Sequence, residues 1–350
     1  MVSNHAFRGS MFVPQQYCWL ISITRENSMR KVLLATTALV AVGGVSAASA
    51  DVSISGGYEA AYVSSDVSGG TSTNSLSTEN FDYSIAFSNT LDNGMAVAGT
   101  VNTSQAGVEE TGATVSGDFG TIGFGPLGES MSGFATAVDV TPDEGTPYWG
   151  GTSTAANNLL EYQVLPADES IGDPDVTYSS PAMGGFSFAV GRGDTGTAEA
   201  TYYGAKFVTE AAGASVTLKY ATMENDTGTA TTEVSAQSLG IVIGLGNATI
   251  TMAQNEKDTG NTVTEAMVGT GVGVSYVVSD AVTLTAYSAS GDDDKDTAYE
   301  MTDTGFGLSY TVTPGLVLHV THNEQDLKNS SNVTTSTSAS RTSVNLNISF

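Results

Sequence analysis

After residue 50, hydrophobic and polar positions alternate along most of this chain. Phe81, Tyr83, Ile85 and Phe87 are separated by Asp82, Ser84 and Ala86. A period of two puts alternate side chains on opposite faces of an extended strand. The last ten residues keep the pattern strictly, with Val344, Leu346, Ile348 and Phe350 against Asn345, Asn347 and Ser349. Such segments, punctuated by turn residues, predict strands at 52–63, 79–88, 95–102, 111–118, 121–125, 174–180, 185–193, 198–208, 214–223, 231–243, 247–255, 263–278, 281–290, 297–312, 316–323 and 341–350, sixteen in all.

The connections alternate in length. Tight turns are expected at Leu91-Asp92-Asn93-Gly94, Phe119-Gly120, Pro181-Ala182-Met183-Gly184, Leu245-Gly246-Asn247, Ser279-Asp280 and Thr313-Pro314-Gly315. The intervening connections are mostly longer and richer in Asp, Gly, Thr and Asn. Short turns at one end, long loops at the other and an even strand number describe an outer-membrane β-barrel. In lipid every backbone N–H and C=O must be paired internally, so the sheet must close. The faces agree. Val216, Leu218 and Tyr220 oppose Ser215, Thr217 and Lys219; Phe306, Leu308 and Tyr310 oppose Gly305, Gly307 and Ser309. A second face so rich in Ser, Thr and Gly suits a wet lumen better than a dry core. A β-sandwich would account for any single strand, but not for a polar second face on all sixteen. The fold class is therefore all-β: a transmembrane antiparallel β-barrel of about 16 strands, with a long third loop expected to fold into the lumen.

That loop is the one long break, at 126–173. It carries Glu129, Asp139, Asp143, Glu144, Asp168, Glu169 and Asp173 and no Lys or Arg. Long segments without secondary structure inside a domain are usually functional or disordered. Folded inward it would narrow a lumen that sixteen strands leave open, and carboxylates there favour cations. An acidic surface loop is the plainer alternative.

The start of the chain is set apart. Met29-Arg30-Lys31, the apolar run Val32–Val45 and Ala48-Ser49-Ala50 read as a secretory signal peptide over 29–50, with the mature chain expected from Asp51. A membrane anchor is disfavoured because the run is short and rich in Ala and Gly. Residues 1–28 carry no pattern and are expected to be a non-native or unstructured upstream extension. The 11 basic and 37 acidic residues of the whole chain become 7 and 36 beyond residue 50, a formal charge of −29. Nucleic-acid binding, which needs clustered Lys and Arg, is excluded. Cys18 is the only cysteine, so residues 51–350 hold neither disulfide nor thiolate.

Other motifs mislead. Arg192-Gly193-Asp194 spells an adhesion tripeptide by chance composition, and Asn225-Asp226-Thr227 and Asn247-Ala248-Thr249 match a glycosylation pattern not expected in a bacterial envelope. His319 and His322 are three apart on a strand, so they point to opposite faces and make a poor metal pair. No Ser–His–acid set, phosphate loop or Cys/His cluster is present, and no enzymatic activity is expected.

The signal Met29-Arg-Lys-Val-Leu-Leu-Ala-Thr-Thr-Ala-Leu-Val, the opening Val52-Ser-Ile-Ser-Gly, the turn Ser116-Gly-Asp-Phe-Gly-Thr-Ile122, the stretch Val176-Thr-Tyr-Ser-Ser-Pro-Ala-Met-Gly-Gly-Phe186 and the strand ending at Phe350 resemble the alphaproteobacterial, Rhodobacter-type general porins over 51–350. The resemblance implies a homotrimer of sixteen-stranded, water-filled barrels in the outer membrane of a Gram-negative bacterium, amid lipid and lipopolysaccharide. The third loop would face basic side chains across each lumen. This chain departs from the family there. Its basic residues after position 50 are Arg192, Lys206, Lys219, Lys257, Lys295, Lys328 and Arg341, and by parity Lys206, Lys219 and Arg341 can face the lumen. So thin a basic wall points to cation preference. Some relatives hold calcium between loop carboxylates, and Asp292, Asp293 and Asp294 offer the same ligands, though a solvated charge run is the favoured reading; no other cofactor is expected.

The resulting expectation is a porin for passive diffusion of small hydrophilic solutes and cations. Glu129, Asp139, Asp143 and Glu144 would form the constriction, Lys206, Lys219 and Arg341 the wall, and Phe350 the assembly signal. The alternative is an acidic surface-layer or adhesive protein without transport.

Overall fold

A computed structural model describes residues 51–350 apart from 69, 71, 78–80, 105–106, 126–130, 137–173, 195–198, 227–232, 259–265, 294–299 and 329–336. The strands are β1 (Asp51–Val67), β2 (Thr73–Ser77), β3 (Phe81–Thr90), β4 (Ala96–Ser104), β5 (Gly107–Gly117), β6 (Gly120–Phe124), β7 (Val176–Ser179), β8 (Phe186–Asp194), β9 (Glu199–Ala211), β10 (Ala214–Asp226), β11 (Val234–Leu245), β12 (Ala248–Asp258), β13 (Ala266–Ser279), β14 (Val282–Asp293), β15 (Glu300–Thr313), β16 (Leu316–Lys328) and β17 (Thr337–Ser349). Apart from β2 and β3, strands that follow each other in sequence pair antiparallel. β2 and β3 both lie along β1, pairing Ala61–Ser65 with Thr73–Ser77 and Asp51–Tyr58 with Phe81–Ser88. They are two stretches of one barrel strand, so seventeen segments make sixteen strands.

The other edge of β1 meets β17 and closes the ring, with Gly57 opposite Ser349 and Val67 opposite Ala339. At the seam Gly56 N–H donates to the Phe350 carbonyl at 3.1 Å and Phe350 N–H donates to the Gly56 carbonyl at 3.0 Å. The Phe350 ring lies over Gly56 and stacks on Phe81 with centroids 6.3 Å apart. A closed antiparallel sheet leaves no unpaired edge, which lipid requires.

One end of the barrel is made of tight turns. In Asp92-Asn93-Gly94, Gly94 has φ 83°, and the Asn93 Oδ1 accepts from Met95 N–H at 3.1 Å. Two details depart from the sequence expectation. The turn after β5 is Asp118-Phe119, since Gly117 pairs with Gly120. A further two-residue turn, Ala212-Gly213, joins β9 to β10 with φ 52° and 82°. A turn of the I′ kind needs φ above zero at both centres, and its geometry matches the strand twist; alanine accepts it at a cost that the paired strands impose.

The apolar faces point outward. Phe87, Phe207, Leu218, Tyr220, Leu239 and Leu346 are exposed despite their size. Residues sharing the other face are small or polar and mostly covered: Ala189, Ala221, Ser238, Asn255, Ser343 and Asn345 are all buried. An inverted pattern of this kind belongs to a wall between lipid and water.

Candidate functional site

The inner wall of β8 to β12 carries the site. On it Ser187, Lys206, Lys219 and Gly240 stand side by side, each opposite the next across the ladder. Lys206 and Lys219 are therefore direct cross-strand neighbours, an arrangement that like charges disfavour.

Against this wall lies the segment 131–136, the described part of the long break. Met131–Gly133 makes one 3-10 turn, and Phe134 N–H donates to the Met131 carbonyl at 2.9 Å. Met131, Phe134, Ala135 and Thr136 are all buried. Two glycines make the room. A Cβ at Gly204 would meet Phe134 Cγ at 2.6 Å, and one at Gly240 would overlap Thr136. Met131, Phe134 and Ala135 pack in one apolar cluster with Ala189, Tyr202, Ala221 and Met223.

Three hydrogen bonds fix the segment to three successive strands. Lys219 Nζ donates to the Ala135 carbonyl at 3.1 Å. Thr136 N–H donates to Ser238 Oγ at 3.0 Å, and Asn255 Nδ2 donates to the Thr136 carbonyl at 3.1 Å. Ser238 and Asn255 are fully covered, so each bond replaces one that water would otherwise make. Lys206 Nζ sits 5.1 Å from the centre of the Phe134 ring, within cation–π range. Each ammonium of the pair thus has its own partner on the loop segment, which offsets their repulsion.

The remaining predicted residues are spread out. Arg341 lies on the inner face of β17, between Ser65 and Asn323, half-way round the ring from β9. It is not brought to Lys206 and Lys219. Its stretch of wall is polar: the Tyr287 hydroxyl donates to Asp303 Oδ1 at 3.0 Å, the Thr321 and Ser343 hydroxyls are bonded, and Ser309 Oγ lies 2.8 Å from His319 Nδ1. His322 points outward, packs on Phe306 and bonds Thr342, so the two histidines do occupy opposite faces. Arg192 also faces outward and pairs with Glu199. Glu129, Asp139, Asp143 and Glu144 lie outside the described residues, as does Asp294. Asp292 is exposed near the end of β14, and among the described residues no group of three or more His, Cys, Asp or Glu is placed to hold a metal ion.

Sequence reasoning placed both lysines on the lumen face but missed Gly204, Ser238, Gly240 and Asn255. A glycine inside a strand marks close approach by another part of the chain; Gly204 and Gly240 carried that signal. Ser238 and Asn255 carried none.

A closed sixteen-stranded antiparallel barrel with an outward apolar belt and a polar inner wall defines an outer-membrane channel architecture. The family description "Gram-negative porin" matches residues 35–330, and the chain belongs to that family. It is an outer-membrane protein. No curated protein sequence matches it. Solved structures similar in fold include an anion-selective porin from Comamonas acidovorans, at 14% identity and TM-score 0.63, covering 86% of this chain and 100% of that one. The trimer form of OmpT, an outer-membrane protein of Vibrio cholerae, is 14% identical with TM-score 0.60, covering 86% and 99%. The outer-membrane channel DcaP of Acinetobacter baumannii is 13% identical with TM-score 0.58, covering 86% and 97%.

Proposed function

We propose that this porin is a water-filled, cation-preferring channel for passive diffusion of small hydrophilic solutes. The observation that carries the preference is the scarcity of basic residues, 7 against 36 acidic ones beyond residue 50. Lys206 and Lys219, two of the four inward cations among the described residues with Lys257 and Arg341, contact the loop segment through Phe134 and Ala135. Residues 51–350 carry a formal charge of −29, so the field in the lumen is set by carboxylates. Glu129, Asp139, Asp143 and Glu144, which follow or precede the docked segment in sequence, are the acids assigned to the constriction; Arg341 stands on the opposite wall, between Ser65 and Asn323. Single-channel recording in a planar bilayer under a KCl gradient tests this reading: stepwise conductance with a cation-favouring reversal potential supports it, and anion preference overturns the electrostatic part.

We also infer a homotrimer, with subunits meeting on β1 to β7. A chain this acidic must associate where it carries little outward charge. Outward positions on β1 to β7 include Val52, Ile54, Tyr58, Tyr62, Leu76, Phe81, Phe124 and Val176, with Asp66 near the end of β1 as an exposed acid. From β9 to β16 they include Glu199, Glu224, Glu256, Asp292, Glu300 and Glu324. Tyr62→Glu should yield folded monomers on unheated gels; persistence of the trimer would overturn this placement.

A further inference from the structure

We infer that Asp82 and Glu59, on the inner wall beside the barrel seam, are cation-selecting residues of this pore. The inference deepens the proposed cation preference and rests on it.

The chain segregates its charges. From Asp51 to Gly191 it holds no Lys or Arg, and the seven of residues 51–350 all follow. The strands β1 to β7 are therefore a half-ring without a base, while Lys206, Lys219, Lys257 and Arg341 face inward from the rest. Asp82 and Glu59 belong to the inner face of that half-ring. Glu59 shares its face with Ala61 and Ser65, which are buried, whereas Tyr62 on the other face is exposed. Asp82 stands opposite Gly57 and alternates with Phe81 and Tyr83, which are exposed on the outside. Glu59 is two residues beyond Gly57, so the two acids are diagonal neighbours, about 7–8 Å apart at the backbone.

Between them the wall is bare. A Cβ on Gly57 would find only the Ile348 carbonyl, at 3.7 Å. Opposite Glu59 on β17 is Asn347; Arg341 is further along that strand by about 20 Å. Asp82 is exposed. Like charges this close do not stabilise a sheet, so their effect falls on what passes. In the ring of sixteen, β1 is half-way round from β10, which sets the acids across the lumen from Lys219. A unit charge about 8 Å from a permeating ion, in water at about 0.1 M salt, acts with opposite sign on K+ and Cl−. Neutralising one carboxylate therefore lowers the K+/Cl− permeability ratio about twofold, and neutralising both about fourfold.

The test compares Asp82→Asn, Glu59→Gln and the double variant with Asp292→Asn, which removes the same charge from the exposed outward face. Unheated gel mobility certifies that each barrel is folded, and bilayer reversal potentials under a KCl gradient give the ratio. The expected result is a drop in each wall variant, the largest in the double variant, and none in Asp292→Asn. A native ratio in the folded double variant overturns the inference, as does an equal drop in Asp292→Asn. A second variant covers wall substitutions that fold poorly. Residues 51–350 hold no cysteine, so Gly57→Cys gives a thiol label one target between the two acids. A cationic thiosulfonate should lower the ratio and an anionic one raise it. Equal ratios after the two labels, or no labelling of the folded barrel, overturn the inference. The two readings fail separately. An anion-preferring wild type refutes the proposed preference, whereas Asp82 and Glu59 are judged only by the difference between variants.

Discussion

Replacing Gly56 with alanine probes the seam that makes the sheet a barrel. An added Cβ would stand 2.7 Å from Phe350 Cζ and 2.8 Å from the Asp82 carbonyl oxygen. The ring can swing away, because Phe350 ends the strand and is 66% exposed. Doing so abandons the stack on Phe81, worth about 0.5–1.5 kcal/mol. In lipid the displaced ring incurs no further hydrophobic penalty, since its new surroundings are as apolar as the old. The carbonyl cannot swing. β1 and β3 must separate by several tenths of an ångström, an overpacking cost of about 1–3 kcal/mol. Against this stands the gain of about 0.4–1 kcal/mol from a less flexible unfolded chain. The net expectation is about 2 kcal/mol of destabilisation, roughly a thirtyfold change in an equilibrium. Gly57 is the internal control, because its Cβ would find only the Ile348 carbonyl, at 3.7 Å. The assay is the urea midpoint of purified barrels in detergent, read by the gel shift between folded and heated forms. Gly57→Ala should match the native midpoint or exceed it, and Gly56→Ala should fall clearly below. Equal midpoints for the two variants would refute the argument that the ring and the Asp82 carbonyl close the seam.

Other expectations follow from the same geometry. Deleting Phe350 removes the ring and one backbone pairing with Gly56, and should sharply reduce assembled protein in outer membranes; normal amounts would remove it as an assembly signal. Tyr287→Phe breaks the bond to Asp303 and should cost about 1–3 kcal/mol in urea unfolding. Asp143→Asn/Glu144→Gln should lower the K+/Cl− permeability ratio, and unchanged reversal potentials would discard these two acids while leaving the porin intact. Raising the mean salt from about 0.01 M to about 1 M shortens the Debye length from about 30 Å to about 3 Å; cation preference should fade across that range if it is electrostatic.

The barrel was legible because period-two alternation reports on two solvents at once. Sixteen predicted segments correspond to the sixteen strands, and the parity that put Lys206, Lys219 and Arg341 inward holds in the ladder. What escaped has identifiable causes. β17 begins at Thr337 rather than 341, and β10 runs to Asp226 rather than 223. Beyond the apolar belt the outward positions become Thr, Ser and Glu, so alternation vanishes while backbone pairing continues. Ala212-Gly213 was missed because alanine at positive φ is no turn signal; the strands on either side enforce it. At the site, the inward face of each lysine could be read but not their mutual register, which depends on the turn between β9 and β10. Their contacts with Phe134 and Ala135 depend on where a segment some seventy or more residues earlier comes to rest, and no local pattern encodes that.

The central claim is a pore whose field is set by carboxylates that far outnumber its basic residues. Single-channel recording of the purified barrel under a KCl gradient addresses it most directly. The account predicts stepwise conductance with a reversal potential on the cation side. Stepwise conductance with anion preference would contradict the electrostatics, and folded barrels that pass no current would contradict the channel itself.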